Sequence, residues 1–140
     1  MNSHSSGRVV LGLGALLYLT LGVWFLIWPE ALSLVGLSAD NPAARTELRA
    51  TYGGLELGLF AFLTWCACGG RERVRVGLVG LGLSTFGFAI GRVTGLVLDR
   101  PPEPIFPLLV GVEVLSTLAA WAVAWKLGPE TPEGREAASG

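Results

Sequence analysis

Charged residues are scarce in this chain of 140 residues: Asp, Glu, Lys and Arg make up 15% of it, and hydrophobic residues make up 51%. Because an average soluble domain carries roughly 25% charged residues, this composition argues against a disordered chain or a disulfide-rich mini-protein. The formal net charge of −1 gives a polyanion no attractive field, so no nucleic-acid partner is expected. The length fits one domain.

Histidine and cysteine are almost missing. His4 is the single histidine and lies in the polar start of the chain, so a Ser-His or Cys-His pair or a His-based metal site cannot be assembled within one copy. Cys66 and Cys68 would point about 200° apart on a helix, which disfavours a mutual disulfide. We interpret them as packing residues with reduced thiols, and we predict no metal site and no cofactor.

Long apolar runs dominate instead. Four runs of about twenty residues could each reach about 30 Å as helices, the thickness of a bilayer core. They cover residues 9–28, 50–68, 76–98 and 105–125. A soluble four-helix bundle is the alternative, but its helices would show a regular polar face, which the first run lacks. The predicted fold is all-α, an integral membrane four-helix bundle.

The ends of the runs support this prediction. Tryptophans at the ends of three runs resemble an interfacial aromatic belt; they are Trp24, Trp28, Trp65, Trp121 and Trp125. Lys and Arg gather at both termini and in the middle loop, and the positive-inside rule then places both termini in the cytoplasm of a multi-pass plasma (inner) membrane protein. The loops around Asp40 and Glu103 would lie outside. We divide the chain into a polar segment (1–8), a transmembrane domain (9–127) and a flexible cytoplasmic tail (128–140).

The first outer loop carries helix signals of its own. Pro29 can occupy the first turn of a short interfacial helix that ends near Gly36. Asn41 followed by Pro42 is typical of an N-cap and the first helical position. The second long helix is therefore expected to begin at Pro42.

Three ionisable residues interrupt the apolar runs: Glu56, Arg92 and Glu113, one in each of the last three. Such a residue near a bilayer centre costs about 2.5 to 3.5 kcal/mol on insertion scales, so each needs a partner. Counted inward from the outer boundary, they lie roughly 9, 9 and 12 Å deep on three helices. We expect them to meet in one layer.

Helical spacing extends this layer towards the outside. Arg49, Tyr52 and Glu56 form one polar stripe, and Asp99 lies seven residues beyond Arg92 on the same helix face. We predict an outward-opening polar pocket. Its assigned catalytic residues are Glu56, Arg92 and Glu113, and its assigned ligand-binding residues are Arg49, Tyr52 and Asp99.

The leading hypothesis is a pocket for a small amphipathic or lipid-like molecule, with membrane lipid as a partner. One guanidinium cannot neutralise the negative charges of two carboxylates, so one carboxylate could hold a proton. That group could act as an acid or base in isomerisation, cyclisation or epoxide opening. Whether the chain is an enzyme stays open. The alternatives are a proton-linked carrier or accessory subunit, working as a homo-oligomer, and a structural protein whose buried charges only fix helix packing.

An internal repeat is a further hypothesis. Arg8 and Arg75 each begin a Gly-Leu-rich helix, and Glu56 and Glu113 lie in the similar segments Gly-Leu-Glu-Leu and Gly-Val-Glu-Val. Two helix pairs would then be related by an axis along the membrane normal, with the two glutamates as equivalents.

Residues 49–58, Arg-Ala-Thr-Tyr-Gly-Gly-Leu-Glu-Leu-Gly, resemble a family of small, mainly bacterial four-span membrane proteins known as domain of unknown function 4345. The likeness covers about residues 9–126 and includes Trp28-Pro29-Glu30, residues 40–44, Gly91-Arg92 and Glu113. Its most specific part is the Tyr-Gly-Gly block. The resemblance implies a membrane-embedded helical domain and brings no established activity.

Overall fold

A computed structural model describes residues 3–101 and 104–128, and these residues form helices and no strands. The all-α prediction is thus confirmed. The helices are α1 (Ser3–Ile27), a 3-10 helix (Pro29–Val35), α2 (Pro42–Leu48), a π-helical segment (Arg49–Gly54), α3 (Leu55–Ala67), α4 (Arg71–Leu98) and α5 (Ile105–Leu127). Almost all of the predicted flexible tail, from residue 129 onward, lies outside the described residues, as does Glu103.

Three helices of the described chain, and not the four predicted, are long and apolar enough to cross a membrane: α1, α4 and α5. The difference arises in the second predicted span, where α3 has only 13 residues and would cover about 20 Å. The reason is the π-helical segment Arg49–Gly54, which separates α3 from α2. The backbone stays in the right-handed helical region at both junctions, so α2, the π segment and α3 form one helical rod from residue 42 to residue 67.

The predicted helix signals in the first loop are confirmed. The side chain of Asn41 accepts a hydrogen bond of 2.9 Å from the backbone N–H of Ala44, and Pro42 begins α2. The short helix after Pro29 ends at Gly36, but its turns are of the 3-10 type. Gly36 has a φ of 76°, a left-handed conformation that glycine adopts without strain.

The long helices pack as two antiparallel pairs, α1 with α3 and α4 with α5. In the first pair Gly14 lies against Leu63, and Gly22 lies against Leu57. In the second pair the hydroxyl oxygens of Thr85 and Thr117 lie 2.8 Å apart. Contacts of α1 with α4 and α5, and of α3 with α4, join the two pairs into one bundle.

The two pairs share a common pattern of buried positions. A shift of 67 residues places every buried position of α1 on a buried position of α4: Gly7 on Val74, Leu11 on Leu78, Ala15 on Gly82, Tyr18 on Thr85 and Gly22 on Ala89. Residues related by this shift also meet each other, because a Cβ atom on Gly7 would lie 2.7 Å from Val74, and one on Gly14 would lie 3.1 Å from Leu81. Such contacts are expected on a two-fold axis that runs parallel to α1 and α4.

At one end of the bundle, an arginine joins the two helices within each pair. Arg8 on α1 donates a hydrogen bond of 2.9 Å to the carbonyl oxygen of Gly69, just beyond α3. Arg71 on α4 donates to the carbonyl oxygen of Leu127, the last residue of α5. In each pair, therefore, a cation from the first helix satisfies carbonyl groups at the end of the second.

The surface of the bundle is strongly apolar. Leu13, Leu83 and Leu115 are all more than half exposed, and Trp125 is 89% exposed. Apolar surface in water costs about 25 cal/mol per Å², so such a surface is unfavourable for a chain surrounded by water. Together with the three apolar helices, it suggests a membrane protein.

We expect Gly77→Ala to destabilise the bundle, because a Cβ atom there would lie 2.6 Å from Cys66 Cβ and 3.0 Å from Leu11 Cδ1. Overpacking of this kind lowers the free energy of unfolding by about 1–3 kcal/mol. The matched control is Gly87→Ala on the same helix, where a Cβ atom would meet nothing within 4 Å. Unfolding in detergent micelles measures both variants, and equal stabilities would contradict the described packing.

Candidate functional site

Arg92 on α4 and Glu113 on α5 form an ion pair inside the second helix pair. Their side chains are 28% and 12% exposed. The guanidinium of Arg92 also lies 5.7 Å from the ring centre of Phe88 on its own helix. Because both groups are largely removed from solvent, each is the counter-charge that makes burial of the other tolerable.

Glu56 lies in the first turn of α3 and is 9% exposed. Its Oε2 atom is buried and has no hydrogen-bond partner. Arg92 and Tyr18 are close enough to Glu56 for an electrostatic interaction, yet the ion pair of Arg92 in the described chain is with Glu113. Glu56 is thus a buried carboxylate near a cation that another carboxylate already holds.

The π-helical segment determines where Glu56 points. Within it the bond from the backbone N–H of Leu55 to the carbonyl oxygen of Ala50 spans five residues, so this turn holds one residue more than an α-turn. Gly53 lets this wider turn lie against α1, because a Cβ atom on residue 53 would lie 3.0 Å from the backbone nitrogen of Leu26. This segment is not predicted from the sequence, where its one signal is the pair of adjacent glycines, Gly53 and Gly54.

Tyr52 lies beside this group, whereas Arg49 and Asp99 have other surroundings. The ring of Tyr52 is half-buried and meets the ring of Phe25 edge-on, with centres 6.3 Å apart, and it interacts electrostatically with Arg92. Arg49 instead donates a hydrogen bond of 2.9 Å to the carbonyl oxygen of Leu26 and so caps the end of α1. Asp99 is exposed at the end of α4.

Two polar side chains near the site were not predicted. Tyr18 on α1 is 5% exposed and lies within electrostatic range of Glu56; it is the lone phenol in a run without charges. Thr85 shares a hydrogen bond with Thr117, whose hydroxyl also lies 2.8 Å from the carbonyl oxygen of Glu113. One hydroxyl can donate across to the other helix while the second donates to a carbonyl of its own helix.

The described cavities do not coincide with the predicted pocket. One of about 360 Å³ lies beside the 3-10 helix, between Glu30 and Asp40, and another of about 260 Å³ lies between Arg75 and Trp125. None of the six residues assigned to the pocket lines either cavity. Gly91 and Gly111, near the ion pair in sequence, are exposed, and Cβ atoms there would meet nothing within 4 Å.

The donor set determines what the site can do. Within residues 3–101 and 104–128, no group of three or more His, Cys, Asp or Glu side chains is placed to hold a metal ion. Both cysteines are free, Cys66 buried and Cys68 exposed. The groups around Glu56 are carboxylate, guanidinium and phenol, which can form ion pairs, donate and accept hydrogen bonds, and transfer protons.

We expect loss of Arg92 to cost more stability than loss of Glu113. Arg92→Met leaves two buried carboxylates without a counter-charge, and we expect the free energy of unfolding to fall by about 2–4 kcal/mol. Glu113→Gln leaves Arg92 beside Glu56, so the expected loss is smaller, about 1–2 kcal/mol. Unfolding in mixed micelles compares the two variants, with the exposed Glu47→Gln as control; a larger loss for Glu113→Gln would contradict the proximity of Glu56 to Arg92.

Comparison with known proteins gives one match. The model of a family described as a domain of unknown function matches residues 6–125. No curated protein and no solved structure matches the chain.

Proposed function

The chain belongs to the family DUF4345, and we propose that it is an integral membrane protein that binds a small amphipathic or lipid-like molecule at a charged layer inside the bundle. The charged layer consists of Glu56, Arg92 and Glu113. Tyr52 and Tyr18 complete its polar surroundings. We take the membrane to be the plasma (inner) membrane, with both termini in the cytoplasm.

The membrane part of the proposal rests on the three apolar helices and the exposed apolar surface. The fourth crossing is the rod of α2, the π segment and α3. Its apolar part begins near Ala50, which leaves α2 outside the hydrocarbon core. The rod supplies the length that the 13 residues of α3 lack.

The observation that carries the binding proposal is the buried Oε2 atom of Glu56 without a hydrogen-bond partner. Leaving a buried acceptor unsatisfied costs about 1–3 kcal/mol, and more for a charged group. A ligand that donates a hydrogen bond there recovers this cost. A donor at this depth between exposed apolar helices belongs to a molecule with a polar head group and an apolar body.

Acid–base chemistry is an extension of the same proposal. In it Glu56 accepts or donates a proton, Arg92 holds Glu113 and orients the layer, and Tyr52 donates a hydrogen bond to the ligand. Isomerisation, cyclisation or epoxide opening would need such groups. Arg49 and Asp99 would act nearer to the surface, where an entering head group first meets the protein.

A structural role is the second candidate, and the ion pair between Arg92 and Glu113 favours it. This pair joins α4 to α5 and can fix their register without binding anything. It does not account for Glu56: Glu113 also has a buried Oε2 without a hydrogen-bond partner, but its Oε1 is paired with Arg92, whereas Glu56 forms no ion pair within the described residues. We therefore assign the structural part to the pair and the binding part to Glu56.

Glu56→Gln is expected to reduce the amount of amphiphile that stays bound, because the amide offers a weaker acceptor and no charge. The measurement is native mass spectrometry of protein released from nanodiscs of bacterial polar lipid extract, with retained molecules counted per chain. We expect at least a fivefold loss of the specifically retained species. Glu47→Gln, the same change on exposed α2, serves as control, and equal retention in all three proteins would leave only the structural role.

The orientation predicts which cysteines are accessible from each side of the membrane. Cys68 is the exposed native cysteine and would lie on the cytoplasmic side, whereas Ser38 is exposed in the loop on the opposite side. A membrane-impermeant maleimide should label Cys68 only after cell lysis. In a Ser38→Cys, Cys68→Ser variant it should label intact cells, and the reverse pattern would show the opposite orientation.

A further inference from the structure

The two helix pairs differ in charge at one corresponding position. The shift of 67 residues that aligns the buried positions of α1 and α4 places Phe25 at the position of Arg92. In the second pair, Arg92 neutralises Glu113 on the neighbouring helix. In the first pair, Glu56 has an aromatic ring at the corresponding position of α1 instead of a cation.

The charge of the layer is therefore unbalanced. Glu56, Arg92 and Glu113 together carry a formal charge of −1, since two carboxylates face one guanidinium. The nearest other cation on the rod, Arg49, is bonded to the carbonyl oxygen of Leu26. An unbalanced charge in a low-dielectric interior is costly, so one positive charge from outside the chain would neutralise the layer and lower this cost.

The side chains around Glu56 fit an ammonium group. Phe25 and Tyr52 are both half-buried and meet edge-on, with ring centres 6.3 Å apart and planes at 82°. Tyr18 on α1 lies within electrostatic range of Glu56. Tyr52 precedes Glu56 on the same rod and interacts electrostatically with Arg92, which places this pair of rings near the charged layer. Aromatic ring faces attract alkylammonium groups, and a carboxylate accepts hydrogen bonds from them.

From this juxtaposition we infer that the ligand of Glu56 is a cationic amphiphile: an alkylammonium head group pairs with Glu56 and lies against Phe25 and Tyr52. The inference rests on the proposed function and names its ligand class. Arg92 does not repel such a head group strongly, because Glu113 neutralises it. The apolar tail of the ligand lies along the exposed apolar surface of the helices.

The experiment compares two probes that share a chain of twelve carbons, can both donate a hydrogen bond and differ in charge, dodecylammonium and 1-dodecanol. Isothermal titration calorimetry measures their binding to the full chain in maltoside micelles. We expect the cation to bind at least tenfold more tightly than the alcohol. Glu56→Gln should abolish this preference, and Glu47→Gln should keep it.

Two variants at Phe25 test the inference with Glu56 intact. Phe25→Arg gives the first pair the cation that the second pair has, so it should remove the preference for dodecylammonium while the chain stays folded. Phe25→Leu keeps the charge balance and loses the ring, so it should weaken cation binding about threefold. Circular dichroism melting curves identify any variant that fails to fold, and the remaining variants still decide the outcome.

The results separate this inference from the proposed function. If both probes bind equally and Glu56→Gln weakens both, the binding site stands and its selectivity for cations is wrong. If the cation binds equally to the native chain and to folded Glu56→Gln and Phe25→Arg variants, the inference is overturned. If lipid retention from nanodiscs is also unchanged in Glu56→Gln, the proposed function fails with it.

Discussion

The ion pair between Arg92 and Glu113 determines how the remaining polar groups of the bundle are used. A chain with so few charges inside its apolar helices has one cation to distribute at this depth, and direct contact gives it to Glu113. Glu56 receives only the longer-range field of the same guanidinium. The ion pair is thus a structural element, and its formation leaves the carboxylate of Glu56 available for a ligand.

Small residues let the helices of the bundle approach one another closely. Gly7 and Gly14 bring α1 against Val74 and Leu81 on α4, and Gly53 brings the π segment against Leu26. In an apolar surrounding no hydrophobic effect drives helices together, so close van der Waals packing and buried hydrogen bonds must do so. The hydrogen bond between Thr85 and Thr117 is one of the latter.

Much of this architecture follows from one-dimensional patterns. Apolar runs give three of the long helices, and the Asn41–Pro42 sequence gives the start of α2, because caps and hydrophobic length are local properties. The placement of Arg92 and Glu113 at similar depths also follows from counting residues. The π segment does not, since it depends on how closely Gly53 can approach α1, and its extra residue changes the helix face on which later side chains lie.

The same limit applies to individual side chains of the site. Helical spacing predicts Arg49 on the stripe of Glu56 and assumes an unbroken α-helix, whereas the structure adds a hydrogen bond from Arg49 to the carbonyl oxygen of Leu26, which spacing does not predict. The proximity of Tyr18 to Glu56 is not predicted either, because a run without charges gives no reason to expect an electrostatic interaction there. Tertiary neighbours, invisible in the sequence, decide both cases.

The widened turn before Glu56 makes the orientation of this acid a property of backbone length. If the segment Arg49–Gly54 took ordinary α geometry with its length unchanged, everything downstream would rotate by about 100° about the rod relative to α2. The carboxylate would then leave its place near Arg92 without any change in the side chains themselves. The wide turn and the close approach of Gly53 to α1 are therefore both needed to keep Glu56 on this face, whereas the loop around Asp40 could change length with little effect on the layer.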